Sequence, residues 1–518
     1  MRTKVQDWMT TVGAIVGAIV VWQSPLVAGG PNYGLANDVP GSLRVAAGND
    51  RVSSYLPSFA ADQLSTATLT QTAFGLPTIL ALLKQTGTHV SEAGLSGTGA
   101  LSALIAGNSG SSGVLFDSVL QSVDAQLEHL GQHLPTTKDT LKTLIGDNLP
   151  DRLADGFDRI ASGLTRLRSL LVALQNAIGA AVAEAGSESA IPTATLQRYV
   201  TLPLVYNLAE AVHDLRAYLP VVRYTLTTSI EDVLTAAAFL AAYQTTVDSV
   251  ETLVILFIDP LDTAREEFYN RLTHPKTGVA GLEDAFSTVQ QDTELLAMIA
   301  VPARKTVIDA MLSPFALALN NVDADLAAVE TKLQNYMEYV EQLLAITDTE
   351  LVSIDDSQLI GALVHTLIDC GRYARYCFHK YQHLVGELID ALLLRTSGCV
   401  EREVLRLTNL GTAASSLLMS TAYDIADMGD MLFICDAIQD ATDQAQCVTT
   451  ISDSIKPLGA LFADKYDLLY DLADTELAAS KQRIKMCVEL SDRMFSERYI
   501  PDLRSEIESC ATDGPNAT

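Results

Sequence analysis

Between residues 153 and 178 the apolar side chains fall on one alternating step. Leu153, Phe157, Ile160, Leu164, Leu167, Leu171, Leu174 and Ile178 are spaced four and three residues apart without a break. That spacing places them on one stripe of an α-helix and is incompatible with a strand, whose faces alternate every second residue. The opposite positions carry Asp155, Asp158, Arg159, Arg166 and Arg168. A narrow apolar seam with a charged back must pack against another helix. The same step returns at Leu319, Val322, Leu326, Val329, Leu333, Tyr336, Val340 and Leu343. No sustained strand alternation occurs anywhere. The expected class is all-α: elongated helical bundles with heptad seams, followed by a disulfide-linked C-terminal helical bundle.

The bundle should be interrupted where prolines and glycines gather. Pro135 and Pro150 read as breaks, and residues 186–192 end the long seam. Ser229-Ile230-Glu231-Asp232 has the spacing of a capping box, opening an apolar run to Ile258. Asp248 and Glu251 interrupt that run, which makes it a buried helix rather than a membrane span. Residues 30–113 read as a lead-in and linker, because 91–113 is rich in Gly and Ser. Ser397-Gly398 and Met428-Gly429-Asp430 read as helix stops. The expected organisation is a leader over 1–29, the lead-in over 30–113, a long-helix bundle over 114–350 and a cysteine-bearing domain over 351–518.

All seven cysteines lie in that last segment: Cys370, Cys377, Cys399, Cys435, Cys447, Cys487 and Cys510. Zinc sites draw their cysteines from close pairs, and none is present. Wide spacing on helices reads as disulfides. With one continuous helix from about 353 to 396, Cys370 and Cys377 stand about 10 Å apart along the axis, too far to bridge each other. An up-down-up bundle then pairs Cys399 with Cys487. It leaves Cys370 and Cys377 to bond Cys435 and Cys447 in either order, with a local Cys435–Cys447 bond as competitor. Cys510 is left as a free or intermolecular thiol, since the count is odd. The N-terminus supports an oxidising destination. Arg2 and Lys4 precede an uncharged run over 12–22 and small residues to Gly29, the layout of a secretory leader. Asn516 opens a glycosylation sequon, Asn516-Ala517-Thr518.

The cysteine-bearing stretches DCGRYARYC, SGCVERE, FICDAI, AQCVTT and KMCVEL, on helices of an acidic chain with a leader, resemble the TsetseEP-type domain of insect secreted proteins. The resemblance covers about a quarter of the chain. It implies a secreted arthropod helical protein and supplies no catalytic residues.

Charge restricts the partners. The chain carries 63 acidic against 34 basic residues, a net −29, and no basic cluster to replace nucleic-acid counterions. His379 and His383, and again His129 and His133, share helix faces at i, i+4, but neither pair brings a glutamate or a third ligand. Asp464, Asp467, Asp471 and Asp474 read as a solvated helix face. Arg372, Tyr373, Arg375, Tyr376 and Tyr381 form a locally basic aromatic stretch that reads as packing. No nucleophile–base constellation stands out. The expectation is therefore a secreted, non-enzymatic protein without cofactor or metal. It would act by binding a protein partner or by self-association in a matrix or coat. The second reading is a carrier of lipid or another small apolar ligand, favoured by a mean hydropathy of +0.21.

Overall fold

A computed structural model describes residues 32–60, 69–108, 112–320 and 322–516. The leader at 1–29 lies outside these residues, as do Ala517 and Thr518 of the sequon. Among the described residues the regular structure is all helix. The chain forms two compact units. The first comprises residues up to 237 together with Leu367–Ala374. The second comprises Ala238–Thr366 and Arg375–Thr518.

The first unit contains α1 (Ser42–Tyr55), α2 (Leu76–Ala106), α3 (Ser112–Ile145), α4 (Asn148–Ala185), α5 (Thr193–Tyr199) and residues 202–237 of α6 (Leu202–Leu272). The seam of α4 behaves as its spacing requires. Leu164, Leu167, Leu171, Leu174 and Ile178 are all buried, while Arg166 and Arg168 are exposed and pair with Asp214 and Asp124. Gly186 ends α4 in the left-handed conformation at φ 72°, where a Cβ would be strained.

Three expected interruptions are absent here. Pro135 sits inside α3, so that helix tolerates one missing backbone donor. Ser229 caps nothing, because α6 runs through it; its hydroxyl donates to Thr225 O at 2.7 Å. Residues 91–106 of the Gly/Ser-rich stretch read as linker are the second half of α2. Gly87, Ser91 and Thr98 continue the buried face begun by Leu76, Leu80 and Leu83 and finished by Leu101 and Ile105. The small residues are the packing surface. A Cβ at Gly94 would lie 2.5 Å from the Leu56 side chain.

The second unit contains residues 238–272 of α6, α7 (Val279–Leu295), α8 (Pro302–Leu319), α9 (Val322–Leu344), α10 (Thr349–Val352), α11 (Gln358–Ile368), α12 (Ala374–Gly386), α13 (Leu388–Asp436), α14 (Ala441–Met494) and α15 (Ile500–Asp513). Residues 367–368 of α11 and Ala374 of α12 belong to the first unit. α13 packs against α7 and α14, and α14 packs against α8 and α9. Phe286 stacks on Phe315, and Phe462 meets Phe315 at a tilt, in the core formed by α7, α8 and α14. Asp440 caps α14 by accepting from Thr442 N and Asp443 N; those backbone donors hold its carboxyl below the usual range. No described helix is long and apolar enough to cross a membrane.

The disulfides are Cys377–Cys510, Cys399–Cys487 and Cys435–Cys447. Cys399–Cys487 is the pair expected from helix heights. Cys435–Cys447, the expected competitor, is the bond formed in place of bonds from Cys370 and Cys377 to these two, and the rest of the expected scheme is corrected. Cys510 is bonded, and the free thiol is Cys370. The error lies in the assumed continuous helix over 353–396. The chain breaks after α11, and Cys370 takes φ +56° in that turn, within the first unit, while Cys377 lies on α12 in the second. Cys377 therefore looks to α15, and Cys435 and Cys447 close the turn between α13 and α14. The expected stops at Ser397-Gly398 and Met428-Gly429 are both interior to α13.

Candidate functional site

An apolar concave feature with room for a small molecule lies in the first unit. α2, α3, α4 and α6 do not meet along their whole length, and α1 closes one side. They enclose a cavity of about 710 Å³. Ligand pockets for small molecules span roughly 300–1,000 Å³. Each wall is apolar because it is the inner stripe of an amphipathic helix. α1 gives Val52, with Leu56 following it. α2 gives Leu101, and α3 gives Val119 and Val123. α4 gives Phe157, Leu164 and Leu167, the middle of the heptad seam. α6 gives Val212, Leu215 and Leu219. Among the described residues, no Asp, Glu, Lys or Arg lines the cavity. Gln85, Thr136 and Thr140 are exposed and mark its open side.

Most polar groups in the lining are already used. Asn49, 1% exposed, donates through Nδ2 to Thr98 O at 2.8 Å and to Ser102 Oγ at 2.7 Å. Thr86 and Thr98 donate back to carbonyls of their own helix. Two histidines and a glutamine are also in the lining. His89 on α2 and His129 on α3 face each other with ring centroids 5.2 Å apart. Gln126, one turn before His129, has its Nε2 fully buried without a hydrogen-bond partner. It is seated against Gly97, where a Cβ would lie 2.1 Å from Nε2. His89 Nε2 lies 3.2 Å from Gln85 Nε2.

The residues singled out by spacing fall elsewhere. His129 belongs to the cavity with His89, across two helices rather than along one. The side chain of His133 lies outside the described residues. His379 packs edge-on against Phe378. No group of three His, Cys, Asp or Glu able to hold a metal occurs among the described residues. Asp464, Asp467, Asp471 and Asp474 are all exposed, and Asp474 pairs with Lys332 at 2.9 Å. Tyr381 is buried and Tyr376 exposed on α12, whereas Arg372 and Tyr373 belong to the first unit. Asn516 ends a short 3₁₀ turn, Gly514–Asn516.

Two other buried polar clusters are self-satisfied. Glu403, 3% exposed, accepts from Arg483 Nε at 2.9 Å and Nη2 at 2.8 Å, and from Arg406. Burial pushes its carboxyl up and is the largest single influence, but the hydrogen bonds from Arg483 and Ser480 and the Arg483 and Arg406 charges together outweigh it and hold the carboxyl below the usual range. The Cys370 thiol lies 3.5 Å from Ser229 Oγ and donates to Asp232 Oδ2 at 3.6 Å. Burial, with the Asp232 carboxylate beside it, pushes the thiol up to about 12. A thiol held protonated is a poor nucleophile.

Sequence reasoning missed the cavity. His89, Gln126 and Gly97 carry no motif, and the second half of α2 reads as linker from its Gly and Ser content. The signal present in the sequence was the continuation of the α2 face through Gly87, Ser91, Gly94 and Thr98. No protein-family model, curated protein or solved structure matches the chain.

Proposed function

We propose that this chain is a secreted, non-enzymatic carrier of a small apolar molecule, held in the cavity of the first unit. The observation that carries the reading is the cavity itself: about 710 Å³, walled by inner helix faces and without a charged side chain among its described lining. A fully packed bundle leaves few voids larger than a water molecule. Far smaller apolar cavities, on the order of 150 Å³, already bind benzene. Three disulfides in one chain support an oxidising compartment.

A second reading, association through helices, has one specific observation behind it. On α14, Leu458, Leu461, Leu468 and Leu472 repeat at heptad-compatible steps and are about half exposed or more. Such a seam fits a partner helix or a second copy.

Organic extraction of the natively purified protein, followed by mass spectrometry, separates the two. The carrier reading expects about one apolar molecule per chain. Extraction that yields none, from a protein that binds no apolar fluorescent probe and sediments as a dimer, would overturn it in favour of association.

A further inference from the structure

We infer that the ligand is a single-chain amphiphile, one long unbranched hydrocarbon chain with a polar group at one end, and that it lies along the α2–α3 pair with its methyl end against α1. The inference rests on the carrier reading and specifies its ligand.

The cavity is long and narrow. α2 and α3 run antiparallel, since Gly97 meets Gln126 and His89 meets His129. Both helices line the cavity over matching stretches, from Leu82 to Leu101 on α2 and from Thr140 back to Val119 on α3. Each stretch is about 30 Å long at ~1.5 Å per residue. A volume of about 710 Å³ drawn out over that length has a mean section of about 24 Å², a channel roughly 5–6 Å across. A hydrocarbon chain, whose carbons keep roughly 3.5–4.0 Å from their neighbours, is about 4–5 Å thick. One chain fits, and two side by side do not. A fused-ring body of equal volume is shorter and broader, and would leave one end of the channel without contacts. With ~1.5 Å bonds meeting at ~111°, an extended chain advances about 1.25 Å per carbon, so about 18–22 carbons reach from the closed end to the mouth.

The two ends differ, and the difference orients the chain. Where α1 closes over the cavity, Asn49, Val52, Leu101, Val119 and Val123 are all buried, none more than 6% exposed. Asn49 already donates its amide to Thr98 and Ser102 there. A polar end group placed at that end would lose its water. At the other end Gln85, Thr136 and Thr140 are lining residues exposed to solvent. The methyl end at α1 and the polar end at this mouth bury the hydrocarbon and leave the polar group hydrated.

The test is a series of straight-chain primary alcohols, octanol to tetracosanol, delivered on cyclodextrin and displacing a fluorescent apolar reporter from the wild-type chain. Affinity should climb by about two- to fourfold per added methylene and level off at about 18–22 carbons. Cholesterol and a two-chain phosphatidylcholine should each bind at least roughly tenfold more weakly than octadecanol, because neither fills the channel along its length. Orientation is read from two isomers of dansyl-labelled octadecanol. The label on the oxygen should be tolerated at the mouth, and the label on the methyl end should cost roughly tenfold or more. Val123→Phe, which fills the closed end, should lower the plateau by about three or four carbons and leave the affinity for octanol within about twofold. If that variant does not fold, the wild-type series and the two isomers still decide. A plateau reached short of hexadecanol, none by tetracosanol, cholesterol as tight as octadecanol, equal affinity for the two isomers, or an unchanged plateau in folded Val123→Phe would overturn the inference and leave the carrier reading standing. Failure of the reporter and of every probe to bind wild type would overturn the carrier reading itself.

Discussion

Cys370 illustrates how one backbone angle decides a side chain's chemistry. Seven cysteines in one segment leave one unpaired, and helix heights in an up-down-up bundle assign that role to the last of them. The structure assigns it to Cys370, because the turn after α11 holds it at φ +56° between Ser229 and Asp232. A non-glycine residue in that region is uncommon, and no spacing in the sequence announces it. The thiol, pushed up to about 12, should stay protonated and resist a disulfide reagent at pH 7.5 until denaturant is added, when one thiol per chain should react. Tyr336 and Tyr470 are likewise pushed up to about 12 by burial. For all three groups the unfolded chain loses its proton first. Their contribution to stability is therefore complete below the unfolded values, about 8.5 for a thiol and 10 for a phenol, and is lost as pH rises towards 12. The urea midpoint should fall between pH 8.5 and 11. A midpoint that is flat across that window, or native labelling of Cys370 as fast as in urea, would refute the burial argument.

At the scale of the helix, apolar spacing was legible and glycine was not. The seam of α4 and the class of the whole chain follow from three- and four-residue steps alone. The errors cluster where glycine was read as punctuation: residues 91–106 of α2, Gly398 and Gly429 of α13. Local propensity places these residues at helix ends, but burial of the helix face overrides a cost of about 1 kcal/mol per glycine. Two kinds of helical glycine are then distinguishable. Gly459 on α14 lies where a Cβ would stand 2.6 Å from Pro314 Cβ and 3.1 Å from the Phe315 ring, so α8 can approach only because the side chain is missing. Gly398 has nothing within 4 Å of the same position. Gly398→Ala should stabilise by about 0.5–1 kcal/mol. Gly459→Ala should destabilise by about 1–3 kcal/mol in spite of the gain in propensity. Equal effects of one sign in chemical denaturation would mean that propensity, not packing, governs both positions. The cavity was illegible for a related reason. It arises where four seams fail to close, and no residue type marks that failure in advance.

The whole chain divides its means of stabilisation unevenly. The first unit holds the cavity and relies on helix packing alone, and its one cysteine is the free one. The second unit holds all three disulfides, closing spans of 133, 88 and 12 residues. Chain-entropy arithmetic puts their separate contributions at about 5, 4.6 and 2.8 kcal/mol, as upper values for an otherwise unstructured denatured state. Reduction should therefore act on one unit and spare the other. Calorimetry of the oxidised protein should resolve two transitions. A reductant should lower one of them by tens of degrees, given that about 1 kcal/mol shifts a domain of this size by roughly 2–4 °C. An apolar ligand should raise the other by RT ln(1 + [L]/Kd), and that rise should persist in reductant. The crossed design gives the result its force. A reductant that abolishes ligand stabilisation would mean that the cavity depends on the disulfide-bonded unit. A single transition shifted by both agents would mean that the two units unfold as one.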